Sequence, residues 1–115
     1  MNYLTYINTE KFGTIVHFIA EDGKSCISIQ KPSDEKDCAY LYSLNVHESA
    51  RRQGRANEIL QIVEDYLAKH TNTKYILLDA HKGWLSDWYQ SKGYRLYKYS
   101  KEEDLNMFSK IIEGN

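Results

Sequence analysis

The hydrophobic pattern changes its period twice between residues 38 and 80, and this change limits the chain to few folds. Residues 38–46 (CAYLYSLNV) alternate with period two, as a strand does. One face of this strand is predicted to carry Tyr40, Tyr42, Leu44 and Val46. From Gly54 to Lys69 apolar residues recur every three or four positions, which predicts an amphipathic helix.

Residues 75–80 (YILLDA) follow this helix and are apolar almost throughout. Such a run favours a strand that is buried on both faces. A strand–helix–strand order in turn predicts a right-handed crossover between two parallel strands. The centre of the chain is therefore expected to be a parallel strand pair bridged by one helix.

The flanking segments add antiparallel strands and a second helix. Three strands are expected before the crossover, at Asn2–Asn8, Gly13–Ala20 and Lys24–Gln30, with Asp22-Gly23 forming a hairpin turn and 31–37 a polar loop. After it we expect a short helix within Gly83–Lys92 and strands at Tyr94–Ser100 and Leu105–Ile112. The residues of that helix expected to point inward are Trp84, Leu85, Trp88 and Tyr89. The predicted fold class is α+β, a mixed and mostly antiparallel sheet in a single domain, 1–115.

Composition excludes several classes of protein. The chain has 115 residues with a net charge of -1, which suits one globular domain and argues against a nucleic-acid binder. No apolar run approaches the roughly 20 residues of a membrane span, and the start lacks the layout of a signal peptide, so we expect a cytoplasmic protein. Cys26 and Cys38 are interpreted as small core residues, and the scattered histidines predict no metal site.

Three of the four arginines, Arg51, Arg52 and Arg55, lie just before the long helix or in its first turn. A helix start leaves backbone N–H groups without partners and carries the positive end of the dipole, so it can hold a phosphate. Gly54 would let the backbone approach such an anion closely, and Ala56 keeps the next turn slim. A solvated basic cluster is the alternative interpretation of the same residues.

Two segments carry a family resemblance. Residues 44–56 (LNVHESARRQGRA), followed by the amphipathic helix, resemble the acetyl-CoA-binding signature of the GNAT superfamily of N-acetyltransferases, with Arg51, Gly54 and Ala56 at its defining positions. Residues 88–94 (WYQSKGY) are similar to an aromatic–Tyr–x-x-x–Gly–aromatic segment found late in that family. The two segments have the family's order and separation, with the 75–80 strand between them.

The resemblance implies acetyl-CoA as the co-substrate and an amine, on a small molecule or a protein, as the acceptor. It implies that the backbone at Leu44, Asn45 and Val46 pairs with the pantetheine arm. It also implies that the phosphates are held by Arg51, Arg52, Gln53, Gly54, Arg55 and Ala56. Tyr89 matches the family tyrosine that protonates the departing thiolate, although an ordinary core tyrosine is the alternative interpretation.

Two departures from the family pattern concern the acceptor side. Some members carry a glutamate base where this chain has Tyr40. The candidate substitutes are His47, Glu48, Asp79 and His81, or a water chain; of the side chains, Asp79 and His81 are preferred as catalytic residues. The family's two helices between its first strands have no counterpart, because only Thr9–Phe12 separates the predicted strands. The acceptor side is then either open, which suits a bulky amine, or completed by another subunit.

The sequence is compatible with three functions. The first is an acetyl-CoA-dependent N-acetyltransferase. The second keeps the fold without the reaction, as an acyl-CoA-binding sensor or an interaction subunit. The third makes the arginines a nucleic-acid contact, which the balanced charge disfavours. Aromatic residues such as Trp84 and Trp88 would suit a homodimer surface or the core equally well.

Overall fold

Seven strands and two α-helices make up the computed structural model, which describes residues 2–112. The strands are β1 (Tyr3–Glu10), β2 (Gly13–Ala20), β3 (Ser25–Pro32), β4 (Cys38–Val46), β5 (Tyr75–His81), β6 (Arg95–Ser100) and β7 (Leu105–Ile111). The helices are α1 (Arg55–His70) and α2 (Trp84–Ser91), and a short 3-10 helix covers Glu48–Ala50. Each predicted element is present, with ends displaced by one or two residues, so that β3 extends into the segment expected to be a loop.

The strands form one mixed sheet in the order β1-β2-β3-β4-β5-β7-β6. Among the described strands only β4 and β5 pair in parallel, and α1 connects them, as the change of period predicts. Both helices lie on one face of the sheet, α1 against β3 and β4 and α2 against β5. The core forms beneath them, with Ile27, Ile29, Ile59, Val63, Ile76 and Phe108 fully buried. The predicted fold class is confirmed.

Within residues 2–112 no helix lies over the opposite face of the sheet, so the prediction that β5 is buried on both faces was wrong. Ile76, Leu78 and Ala80 are buried, but Asp79 and His81, on alternate positions, are exposed. The strand is thus covered on one side only. A two-residue turn joins β1 to β2, so the expected absence of helices between them is confirmed. We call this side, which carries Tyr40, Tyr42, Leu77, Asp79 and His81, the uncovered face.

A β-bulge in β4 overturns the predicted face of that strand. Tyr42 lies opposite Ser28 and Asn45 opposite Cys26, so three steps along β4 match two along β3. Ser43 accommodates the extra residue with a left-handed backbone, at φ 59°. Beyond Tyr42 the alternation is therefore inverted, and Leu44 and Val46 turn towards the helix side of the sheet.

Two side chains on the helices also differ from expectation. Trp84, expected inside, is 78% exposed because it begins α2 at the rim of the sheet. Glu64, although charged, is buried and accepts a hydrogen bond of 2.6 Å from Lys110 of β7. That ion pair ties α1 to β7 across the sheet. Of the two cysteines, Cys38 is buried as expected, whereas Cys26 is half-buried.

Candidate functional site

A cavity of about 710 Å³ opens on the helix side, between the end of β4 and the first turns of α1 and α2. Most of the residues expected to bind a cofactor line it. From the predicted set these are Leu44, Asn45, Val46, Arg51, Arg52, Gly54, Arg55 and Ala56. Gln53 is not among the lining residues; its side chain amide lies 3.5 Å from the Ser49 carbonyl oxygen.

One wall of the cavity exists because β4 and β5 separate. Their parallel pairing covers only Cys38–Tyr40 against Tyr75–Leu77. Past that point β4 stays paired with β3 through the bulge, and β5 stays paired with β7. In the described part of the chain, the edge of β4 that faces this gap has no strand partner after Tyr40. An extended ligand can therefore pair with the backbone of residues 44–46 as an additional strand would.

The start of α1 forms the second wall. Gly54 precedes it with a left-handed backbone, at φ 75°, and no side chain among the described residues caps the helix. The N–H groups of the first turn are thus directed into the cavity without helical partners. A Cβ on Gly54 would meet no atom within 4 Å, so the space above this glycine is open to an incoming group. This wall has the chemistry of a phosphate site.

The loop between β4 and α1 is held by its own polar groups. Arg51 donates from Nε to the Val46 carbonyl oxygen at 3.1 Å. The imidazole of His47 accepts from the Ser49 backbone N–H at 3.1 Å and lies 2.8 Å from the Ser49 hydroxyl. Arg52 adopts a positive φ of 63° and remains exposed. The loop is therefore shaped before any ligand arrives, with Arg52 as the exposed cation at its tip.

Arg55 has a structural partner that sequence reasoning did not foresee. Its guanidinium donates to both carboxylate oxygens of Asp22, at 2.5 and 3.2 Å, and lies 3.4 Å from the Ser25 hydroxyl. The pair ties the first turn of α1 to the β2–β3 hairpin. Arg55 thus contributes its backbone N–H to the cavity, while its charge is shared with Asp22.

This ion pair predicts a particular dependence of stability on pH. The hydrogen bonds from Arg55, and then from the Lys24 backbone N–H, lower the pKa of Asp22 to about 2. The pKa of an aspartate in the unfolded chain is about 3.9. The ion pair therefore stabilises the fold above about pH 4, and this stabilisation is lost as the pH falls towards 2. We expect Asp22→Asn to lower the thermal midpoint at neutral pH and the difference to vanish at low pH. A difference that is equal at every pH would contradict this account.

Tyr89 lies behind the cavity wall rather than on it. Its side chain is 4% exposed, and its ring packs edge-on against Trp88, which lines the cavity, and against Tyr94. Burial raises the pKa of Tyr89 to about 12, so its hydroxyl keeps its proton at neutral pH. The group is protonated as a general acid must be, but its neighbour Trp88, and not Tyr89 itself, lines the cavity.

Asp79 and His81 do not line the cavity either. Both are exposed on the uncovered face, on the stretch of β5 that has separated from β4. The backbone carbonyl of His81 accepts a 2.6 Å hydrogen bond from Ser86, which fixes the end of the strand against α2. Burial, and to a smaller extent the nearby charge of Asp79, raises the pKa of Tyr97. These two candidates therefore lie on the uncovered face of the sheet, whereas the cavity lies on the helix side.

The sequence reasoning did not assign five residues that complete the lining: Ala50, Asn57, Trp84, Leu85 and Trp88. Trp84 and Trp88 lie one turn apart on α2. From the sequence, this pair of aromatic residues suited the core or a dimer surface equally well. Neither tryptophan is fully buried. Their aromatic surfaces instead form the third wall of the cavity.

Residues 2–112 contain no group of three or more histidine, cysteine, aspartate or glutamate side chains arranged to hold a metal ion. Neither α1 nor α2 is long and apolar enough to cross a membrane.

The chain was compared with family models and curated proteins by sequence, and with solved structures by fold. A family model described as an acetyltransferase (GNAT) domain matches residues 5–108. Among curated proteins, none matches the chain significantly by sequence.

Solved structures share the fold at low identity. A GNAT family acetyltransferase from Elizabethkingia anophelis, with acetyl-CoA bound, aligns at a TM-score of 0.69 and 12% identity, over 96% of this chain and 98% of that one. An acetyltransferase from Bacillus cereus aligns at 0.67 and 20%, over 96% and 73%. The ribosomal-protein-S18-alanine N-acetyltransferase from Escherichia coli aligns at 0.70 and 16%, over 92% and 73%. With its family model matched over nearly the whole length and its fold shared with these enzymes, the chain belongs to the GNAT family of acetyltransferases.

Proposed function

We propose that this protein is an acetyl-CoA-dependent N-acetyltransferase whose acceptor is an amine on a bulky molecule, such as a protein terminus or a lysine side chain. The observation that carries the proposal is the cavity at the β4–β5 gap, which combines an unpaired strand edge with an uncapped helix start. The co-substrate would supply an acetyl group activated as a thioester. Everything else in the reaction depends on positioning and proton transfer by the chain.

The residues present fit two parts of acetyl-CoA, the pyrophosphate and the pantetheine arm. The open space above Gly54 and the N–H groups of the first turn of α1 suit the pyrophosphate, with Arg52 as an exposed cation beside them. The free edge of β4 suits the pantetheine amides, and a backbone N–H there would polarise the thioester carbonyl. The acetyl-CoA-bound relative from Elizabethkingia anophelis has nearly the same extent as this chain, so a domain of this size can accommodate the ligand.

The acceptor would approach from the uncovered face. There the gap is bordered by Tyr42 on β4 and by Asp79 and His81 on β5. The amine must lose a proton as its nitrogen bonds to the acetyl carbon and the carbon–sulfur bond breaks; Asp79 and His81 are the proposed acceptors of that proton. Tyr89 is the proposed donor to the thiolate. Because no helix of residues 2–112 covers this face, a large acceptor can approach the gap without steric obstruction.

Intrinsic fluorescence provides a direct test of the cofactor site. The chain has only two tryptophans, Trp84 and Trp88, and both line the cavity. We expect acetyl-CoA to change the tryptophan emission saturably, and Trp84→Phe to remove most of the change because Trp84 is the exposed one. Emission that stays constant while calorimetry reports binding would place the ligand elsewhere.

One observation favours the silent alternative, an acyl-CoA-binding sensor or interaction subunit. None of the three predicted catalytic residues, Tyr89, Asp79 and His81, lines the cavity. That alternative predicts binding without turnover of any amine. The same titration followed by an assay for free thiol therefore separates the two functions.

A further inference from the structure

The two outer strands of the sheet differ in how their free edges are protected. β6 is six residues long, carries Arg95 and Lys98, and has a register irregularity between Leu96 and Lys98. Short length, positive charge and bulges are the features by which natural sheets prevent edge-to-edge pairing. β1 is eight residues long and pairs with β2 in unbroken register. Its only charged residue, Glu10, is its last.

The backbone of β1 presents a regular row of hydrogen-bonding groups at that free edge. The Glu21 N–H donates to the Asn2 carbonyl at 2.9 Å, so residue 2 directs its backbone groups towards β2. In an antiparallel pair this direction alternates along the strand. Tyr3, Thr5, Ile7 and Thr9 therefore direct theirs outward, and no other strand in residues 2–112 lies on that side.

The side chains of β1 leave both of its faces apolar and accessible. Leu4 and Tyr6 are 48% and 52% exposed on the uncovered face, and Ile7 is 57% exposed on the other. Exposed apolar groups on both faces, beside unpaired backbone groups, favour the addition of another strand.

We propose that β1 pairs antiparallel with β1 of a second copy of the chain, forming a two-fold symmetric dimer with one continuous sheet. A register centred on Tyr6 sets Thr5 against the partner's Ile7, so that the outward backbone groups of both strands meet. It also sets Tyr6 beside the partner's Tyr6, an aromatic pair on the uncovered face. The two Glu10 carboxylates then lie at opposite ends, whereas parallel pairing would place them side by side.

This contact is independent of the acetyl-CoA site. β1 is three strands away from β4 in the sheet order, about 14 Å at the usual strand spacing. A dimer that fails to form would therefore leave the proposed acetyl-CoA binding untouched, and a failure of that binding would leave the dimer. The two proposals are tested separately.

The mass in solution tests the dimer. We expect light scattering on a sizing column to give twice the chain mass of 13.5 kDa for the native protein. Ile7→Lys adds a charge to the outward edge without touching the core and is expected to give the single chain mass. Leu96→Lys makes a similar change on the already protected edge of β6 and should leave the dimer intact. A native monomer, or equal effects of the two variants, would overturn the proposal.

Hydrogen exchange on the native protein gives a second readout that requires no variant. The outward amides of Thr5, Ile7 and Thr9 have no strand partner among residues 2–112, so in a monomer they should exchange as fast as exposed loop amides. In the proposed dimer they are bonded across the interface, and their exchange should slow as chain concentration rises. Fast exchange of all three at concentrations where the mass is dimeric would show that the interface lies elsewhere.

Discussion

Gly54→Glu is expected to weaken acetyl-CoA binding by about a hundredfold or more, which corresponds to about 2.7 kcal/mol. Two effects act in the same direction. The new carboxylate occupies the open space above the helix start, where the phosphates would lie, and repels them. A side chain at φ 75° is also strained, which costs roughly 1–2 kcal/mol in the folded protein and loosens the loop. Calorimetric titration with acetyl-CoA measures the loss.

Two variants separate these effects. Gly54→Ala introduces the backbone strain without the charge or the bulk, so we expect a much smaller loss of affinity. Gly23→Glu places the same charged side chain in the β2–β3 turn, where the glycine has nearly the same backbone, φ 72°, and equally open surroundings. We expect it to bind acetyl-CoA with nearly native affinity. If it loses binding as completely as Gly54→Glu, general destabilisation and not the phosphate site explains the result.

Tyr89→Phe is expected to reduce turnover about a hundredfold while the dissociation constant for acetyl-CoA stays within about twofold of the native value. General acids contribute about 10²–10⁴ in rate, and the buried hydroxyl is the group proposed to protonate the thiolate. The ring packing against Trp88 and Tyr94 is retained by phenylalanine, so the cavity should be unchanged. Steady-state kinetics beside calorimetry separate the two quantities.

The pH dependence gives an internal control for Tyr89. With the pKa raised to about 12 by burial, the hydroxyl remains protonated through the alkaline range in which an exposed tyrosine would begin to ionise. The native enzyme should therefore show no loss of turnover from this group between pH 7 and about pH 10.

Tyr94→Phe is the matched control variant for Tyr89→Phe. Tyr94 is an adjacent buried tyrosine that donates a hydrogen bond to Glu64, and its replacement should retain most of the activity. Unchanged turnover in Tyr89→Phe would show that the thiolate takes its proton from another source.

The order of elements could be predicted from sequence because each period of the hydrophobic pattern has one structural meaning. The crossover at 38–80 is confirmed nearly to the residue. The burial of β5 was not predictable in the same way, since a run of apolar residues resembles a doubly covered strand whether or not a helix lies over its second face. What decides it is the two-residue turn between β1 and β2, which leaves no helix to cover the second face. That turn is evident in the sequence, but its effect on β5 acts across the sheet and not through the local pattern of residues 75–80.

The position of the candidate site residues was predictable where it depends on local backbone and not where it depends on packing. Gly54 and the start of α1 are encoded within a few residues, and both lie at the cavity; that they bind a phosphate stays a prediction. The bulge at Ser43 has no sequence signal as clear as a glycine, and the pairing of Arg55 with Asp22 joins residues 33 positions apart. Trp84 and Trp88 were seen as aromatic residues, but their place on the cavity wall follows only from the docking of α2 on β5.

The most direct test of the central claim measures free thiol released from acetyl-CoA by the native protein in the presence of a pool of peptides. A matched pool with blocked N-termini and blocked lysines serves as the control. Thiol release that requires the free amines, with one acetyl group gained by the peptides for each thiol released, is the result expected of an N-acetyltransferase. Saturable binding of acetyl-CoA with no thiol release from any amine would contradict it and leave the chain as an acyl-CoA-binding protein.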